Sequence, residues 1–253
     1  MKTMKLGIRI LLLAALAAAV AACAPMPVGT PLQSSASAAA PTLSIGDSWT
    51  YSVRDGFTGL GRGTQRHQVV ELTGERVGMA VTLENGVKES WAYDRGGNWL
   101  KHPAHGLQSF DYNPPYRAFD FPVAPGKTWR ARVTATDPVT GWRFPVWIDG
   151  VVLGWERIKV PAGEFDALRV KRAVYFDYYD YTTRGRSEIV EYEWYAPAVK
   201  QAVRREASAV YFSYLGGRDA HSYLRTVQFH EGSGRRFLKD DYLISELTAY
   251  SVR

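Results

Sequence analysis

The chain has 253 residues, 31 basic and 25 acidic side chains and one cysteine. Setting aside Lys2, Lys5 and Arg9 at the N-terminus leaves 28 − 25 = +3, too mild an excess to argue for a nucleic-acid partner. One cysteine excludes a disulfide framework and a zinc–cysteine site, so the fold must rest on its apolar core, for which about 210 residues suffice.

Those three cations precede an uncharged apolar run, Ile10 to Ala22, which has the length of a secretory signal and is too short to span a bilayer comfortably. The run ends in Val20-Ala21-Ala22-Cys23: an aliphatic residue, two small residues and the only cysteine. This resembles the lipobox of bacterial lipoproteins. The resemblance implies a signal peptide over 1–22, cleavage before Cys23, and diacylglycerol and palmitate-type acylation of that cysteine, which leaves no thiol for catalysis. Two or more acyl chains make a lasting anchor where one is marginal. Residues 23–41, rich in Pro, Ser and Ala with no charge, read as a flexible linker spanning roughly 20–25 Å. Ala24, in place of the aspartate that retains such proteins in the inner membrane of Gram-negative cells, points to the outer membrane and its periplasmic face.

From residue 43 to 253 the pattern has period two. Val77, Met79, Val81 and Leu83 alternate with smaller or polar residues, as do Trp129, Ala131, Val133 and Ala135. In the third run Val190, Tyr192 and Trp194 alternate with Ile189, Glu191 and Glu193, which places the two glutamates on the solvent face. Asn85-Gly86, Asp149-Gly150, Pro161-Ala162-Gly163 and Gly216-Gly217 read as turns. The expectation is an all-β antiparallel meander of about a dozen strands in one domain, 43–253, forming a strongly curved sheet or half-barrel. Two related halves, 43–107 and 120–253, are suggested by echoes. Gly46-Asp47-Ser48-Trp49 matches Gly126-Lys127-Thr128-Trp129, Val69 to Leu72 matches Val151 to Leu153, and Trp91-Ala92-Tyr93 matches Trp194-Tyr195-Ala196. The stretch 108–125, with Pro114-Pro115 and Pro122, reads as the loop between them.

Gly126-Lys127-Thr128-Trp129, Val160-Pro161-Ala162-Gly163-Glu164-Phe165-Asp166-Ala167 and Trp194-Tyr195-Ala196-Pro197 follow one another in an order that resembles uncharacterised β-rich bacterial envelope domains. Those domains are similar in outline to the half-barrels of periplasmic lipoprotein carriers, whose concave face takes acyl chains. The resemblance implies a fold and no catalytic residues.

Sites are sparse. No nucleophile elbow, phosphate loop, dinucleotide fingerprint or metalloprotease motif occurs. His102 and His105 have metal-like spacing that His67 could join, but they read as solvated loop histidines; His221 and His230 flank a strand. No catalytic residue, metal or cofactor is expected. Contact with a ligand or partner falls to the aromatic segments holding Tyr112 and Tyr116, and Tyr175, Tyr178, Tyr179 and Tyr181. Two functions compete: a non-catalytic binder of a lipid or other apolar ligand, which needs an open cleft, and an accessory docking to another envelope protein, which needs a filled interior and an exposed apolar patch. Cell-wall glycan binding or hydrolysis is a third.

Overall fold

The computed structural model describes residues 28–104, 108–179, 184–213, 236–238 and 242–253. The signal segment, Cys23, His105, Tyr181, Gly216, Gly217, His221 and His230 lie outside them. Pro31–Arg253 is one compact unit. Its strands are β1 (Thr30–Leu32), β2 (Ser48–Asp55), β3 (Gly61–Leu72), β4 (Arg76–Leu83), β5 (Lys88–Asp94), β6 (Trp99–Pro103), β7 (Ser109–Tyr116), β8 (Thr128–Thr136), β9 (Arg143–Val160), β10 (Gly163–Tyr179), β11 (Arg184–Ala196), β12 (Gln201–Ser213), β13 (Arg236–Leu238) and β14 (Tyr242–Ser251), with one 3-10 turn at Pro197–Val199.

Twelve of these strands, β2 to β12 and β14, pair with their chain neighbours in an antiparallel meander, while β1 and β13 pair with β9 and β12 outside that ring. The sheet then closes: β14 meets β2 from Leu243↔Asp55 to Ser251↔Ser48. The curvature expected from the sequence therefore runs on to a complete barrel, and closure removes the free edges that a half-barrel would expose. Bulges at Arg169/Val170, Trp194/Tyr195 and Leu247/Ala249 supply local bending.

Alternation places Trp129, Val133 and Ala135 of β8 in the core, with Val77, Met79 and Val81 of β4. The two Gly-x-x-Trp echoes are built alike. Gly46 and Gly126 both have positive φ, at 92° and 81°. The Gly46 and Gly126 amides donate to Val69 and Val152, whose own amides donate back to Asp47 and Lys127. The third echo differs in its surroundings: Trp91 lines the interior cavity, whereas Trp194, fully buried, has the guanidinium groups of Arg169 and Arg204 5.0 and 5.7 Å from its ring.

Three local expectations are corrected. Asp149-Gly150 is no turn but lies within β9; Gly150 pairs with Trp129, whose indole covers it so closely that a Cβ would lie 2.1 Å from the ring. Glycine is there for close approach. Part of the expected loop at 108–125 is strand β7, which tolerates Pro114 and Pro115 because its ladder with β8 ends at Asn113↔Thr134. Finally, part of the expected linker is packed on the barrel: Ala38 pairs with Val123 and is buried, and the Trp155 indole N–H donates to the Ala36 carbonyl. Uncharged small residues there leave the backbone free to make those bonds.

The segment from Pro31 to Gly46, the β7–β8 connection and the turn at Pro197–Val199 gather at one end of the barrel. Asp47, fully buried, ties that end together by accepting the Ser44 and Arg253 amides at 2.9 Å each.

Candidate functional site: a charged floor and an aromatic wall inside the barrel

Three neighbouring strands carry charge on their inner faces. Arg172 of β10 lies opposite Glu191 of β11, and Glu193 of β11 lies opposite Arg205 of β12. Arg172 Nε donates to Glu191 Oε2 at 2.8 Å, and its Nη2 donates to Glu193 Oε2. Its Nη1 donates to the Ala118 carbonyl at 2.9 Å. Arg205 Nη2 donates to Glu191 Oε1. The pairs thus cross, each arginine reaching a glutamate on the central strand, and the four formal charges cancel.

This overturns the solvent-face expectation for Glu191 and Glu193, which are 3% and 9% exposed. Isolated carboxylates would not be buried so deeply; the two arginines compensate their desolvation. Burial alone would raise the Glu191 carboxyl, but Arg205 and Arg172 outweigh it and hold the group below the usual carboxylate range. A sequence signal existed: Arg172 has the same parity as Val170, Val174 and Phe176, and Arg205 the same as Ala207 and Ala209. Opposite charges on inner faces of consecutive strands are the mark of a buried network.

Facing the charges is a row of rings. Tyr116 of β7 donates its hydroxyl to Glu191 Oε2 at 3.1 Å and stacks on Trp99 of β6, centroids 4.0 Å apart. Trp99 stacks on His102 at 3.9 Å. The row continues from His102 to Trp91, His67 and Tyr51 with spacings of 4.3, 4.9 and 5.0 Å. Tyr51 ends it by donating to the Ala202 carbonyl at 2.9 Å. Such offset and edge contacts add to the burial of the rings.

His102 is therefore no solvated loop residue: it is a buried side chain on β6, with Nδ1 donating to the Pro103 carbonyl at 2.7 Å. Burial, helped by the positive charge of Arg205, lowers its pKa well below the ordinary value and lowers that of His67 to about 3. Both rings are neutral at pH 7. Among the described residues no group of His, Cys, Asp and Glu side chains is arranged to hold a metal ion.

Between floor and wall lies a cavity of about 110 Å³ lined by Tyr51, His67, Met79, Trp91, Tyr93, Trp99, His102, Glu193, Arg205 and Ser245 among others. Its rim is Pro41, Leu43, Arg95 and Lys200, so it reaches the surface at the end over which the N-terminal segment packs. The rim cations are engaged: Arg95 with the Thr73 and Gly74 carbonyls, Lys200 with Asp47 and the Arg253 carbonyl. Arg205 Nε, by contrast, is buried with no hydrogen-bond partner.

Of the tyrosines singled out from the sequence, Tyr116 belongs to the aromatic wall through Trp99 and Glu191, and the others lie around it or elsewhere. Tyr112 and Tyr116 are buried together on β7, rings 5.5 Å apart. Tyr175 faces out from β10 beside Arg186. Tyr178 and Tyr179 end β10, opposite Gly185 and Arg184.

No protein-family model matches the chain, and no curated protein matches it. Among solved structures, it is similar to a predicted lipoprotein from Parabacteroides distasonis, with 18% identity and a TM-score of 0.49 over 85% of this chain and 100% of that one. It is also similar to a predicted exported protein with a YmcC-like fold from Bacteroides fragilis, with 14% identity and a TM-score of 0.47 over 85% and 99%. A third is the hypothetical lipoprotein YmcC from Escherichia coli, with 10% identity and a TM-score of 0.42 over 82% and 86%. At these identities nothing about activity passes from those proteins to this chain.

Proposed function

We propose that this chain is an exported, lipid-anchored protein of the bacterial envelope with no catalysis of its own. The observation that carries the reading is Val20-Ala21-Ala22-Cys23 at the end of a short apolar run behind three cations. The interior is consistent with it: Glu191, the most deeply buried carboxylate of the floor, has both oxygens bonded to arginines and is a poor base, and the buried histidines are neutral and stacked. An acyl carrier is the weaker reading, because a cavity of about 110 Å³ falls below the ~300–1,000 Å³ of ligand pockets. The test is metabolic labelling with a palmitate analogue. The native chain is expected to take the label and fractionate with membranes, and Cys23→Ser to lose the label; an unlabelled native chain would refute the anchor. Ala24→Asp is expected to move the protein from outer to inner membrane in a Gram-negative host.

Docking to another envelope protein has its own observation. Leu60 of the β2–β3 turn, Val87 of the β4–β5 turn and Val139 of the β8–β9 turn are 68, 50 and 88% exposed, all at the barrel end away from the cavity mouth. Leu60→Asp with Val139→Asp should abolish cross-linking to a partner while leaving palmitate labelling intact; cross-linking that persists would remove this reading.

A further inference from the structure

The cavity combines three features that a merely packed interior does not need. Its floor presents opposite charges side by side, because Glu193 and Arg205 are directly opposed on β11 and β12 yet are bonded to other partners. Three buried side-chain atoms among the described residues have no partner, Arg169 Nε, Ser187 Oγ and Arg205 Nε, and of these residues Arg205 alone lines the cavity. A buried N–H without an acceptor costs free energy, and a small shift of the Arg205 side chain, itself 26% exposed, would bring that N–H to a ligand oxygen. Its wall is aromatic, with the Arg205 guanidinium 4.9 Å from the Trp99 ring centroid.

We infer that this cavity binds a small zwitterion of the α-amino-acid class, with its carboxylate on Arg205 and its ammonium group toward Glu193 and the faces of Trp91 and Tyr93. Size selects the class. About 110 Å³ is room for roughly three or four waters at ~30 Å³ each, which suits a ligand of about five or six heavy atoms. Charge selects it further. A plain anion would meet Glu193 and a plain cation would meet Arg205, whereas a zwitterion satisfies both. Guanidinium forks suit carboxylates, and indole and phenol faces favour an ammonium group. His67 and His102 add no charge to the balance.

Tryptophan fluorescence reads binding directly, because Trp91 and Trp99 line the cavity. The full-length purified protein would be titrated with glycine and with both enantiomers of alanine, and with acetate, methylamine and acetamide as single-group probes. Saturable binding of an amino acid is expected, with each single-group probe at least about tenfold weaker. Arg205→Lys keeps a cation for Glu191 but loses Nε–H and the fork, and should weaken binding at least about tenfold. Ser245→Phe, opposite Arg205 on β14, fills the cavity without touching the charges and should abolish binding. The proposal is overturned by no saturable response to the amino acids up to about 50 mM, by acetate binding as tightly as alanine, or by undiminished binding in Ser245→Phe with a native circular-dichroism spectrum. Should Arg205→Lys fail to fold, Ser245→Phe decides.

Discussion

Arg172 holds Glu191, Glu193 and the Ala118 carbonyl together from a position with no solvent exposure. Truncating it to alanine would leave two adjacent carboxylates without their shared cation, and breaking a buried pair in this way costs about 3–5 kcal/mol. Urea unfolding at pH 7 should show that loss for Arg172→Ala, and a smaller one for Arg172→Met with Glu193→Leu, which removes both charges. Acid acts through the histidines first. In the unfolded chain each binds a proton below about pH 6.5, whereas in the barrel burial keeps His67 neutral down to about pH 3. The unfolded state therefore takes up more protons as pH falls, and stability drops by up to about 1.4 kcal/mol per pH unit for each ring below 6.5. Glu191 has the opposite timing: its contribution is complete above about pH 4.3 and is lost only at lower pH. Melting temperature should thus decline from pH 7 to 5, and His67→Gln should flatten the decline; an unchanged slope would contradict the neutral buried ring. At this scale the sequence was half legible. Apolar residues on β4 and β8 announced their faces, but charge on β11 masked the inner face because pairing partners on other strands do not show in one strand's alternation.

Turns and close approaches decide the elements. The turn at Asn85-Gly86 was readable because a positive φ there, 82° at Gly86, demands glycine next to a tight hairpin. Asp149-Gly150 carries the same letters for a different reason: Trp129 lies over Gly150 from the neighbouring strand. A local motif cannot reveal a cross-strand indole. Gly150→Val should overpack the barrel and cost about 1–3 kcal/mol by chemical denaturation, and wild-type stability in that variant would contradict the packing described. Gly46→Ala and Gly126→Ala should each cost about 1–2 kcal/mol, alike, since the two turns share their φ and hydrogen bonds. The packing of Ala38 on Val123 was not legible either, because a segment without charge or periodicity looks the same whether it packs or not.

For the whole molecule, the antiparallel meander follows from short turns between alternating runs, yet nothing in the alternation says whether a curved sheet stops or closes. Closure depends on the seam between the last strand and the first long one, about 190 residues apart, where Leu247 opposite Tyr51 brings buried side chains together. Hydrogen exchange should find the β14–β2 amides as protected as those of β9–β10. A bore filled by rings and a neutral quartet of charges gives a rigid support for one small site, held by the lipid of Cys23 in the reading proposed here. The most direct test of that account is native mass spectrometry of the soluble chain from residue 28, produced in an envelope compartment without detergent. The account predicts a mass with no bound acyl lipid, and none acquired on exposure to phospholipid vesicles. A stoichiometric acyl lipid would contradict it and return the bore to a carrier's role.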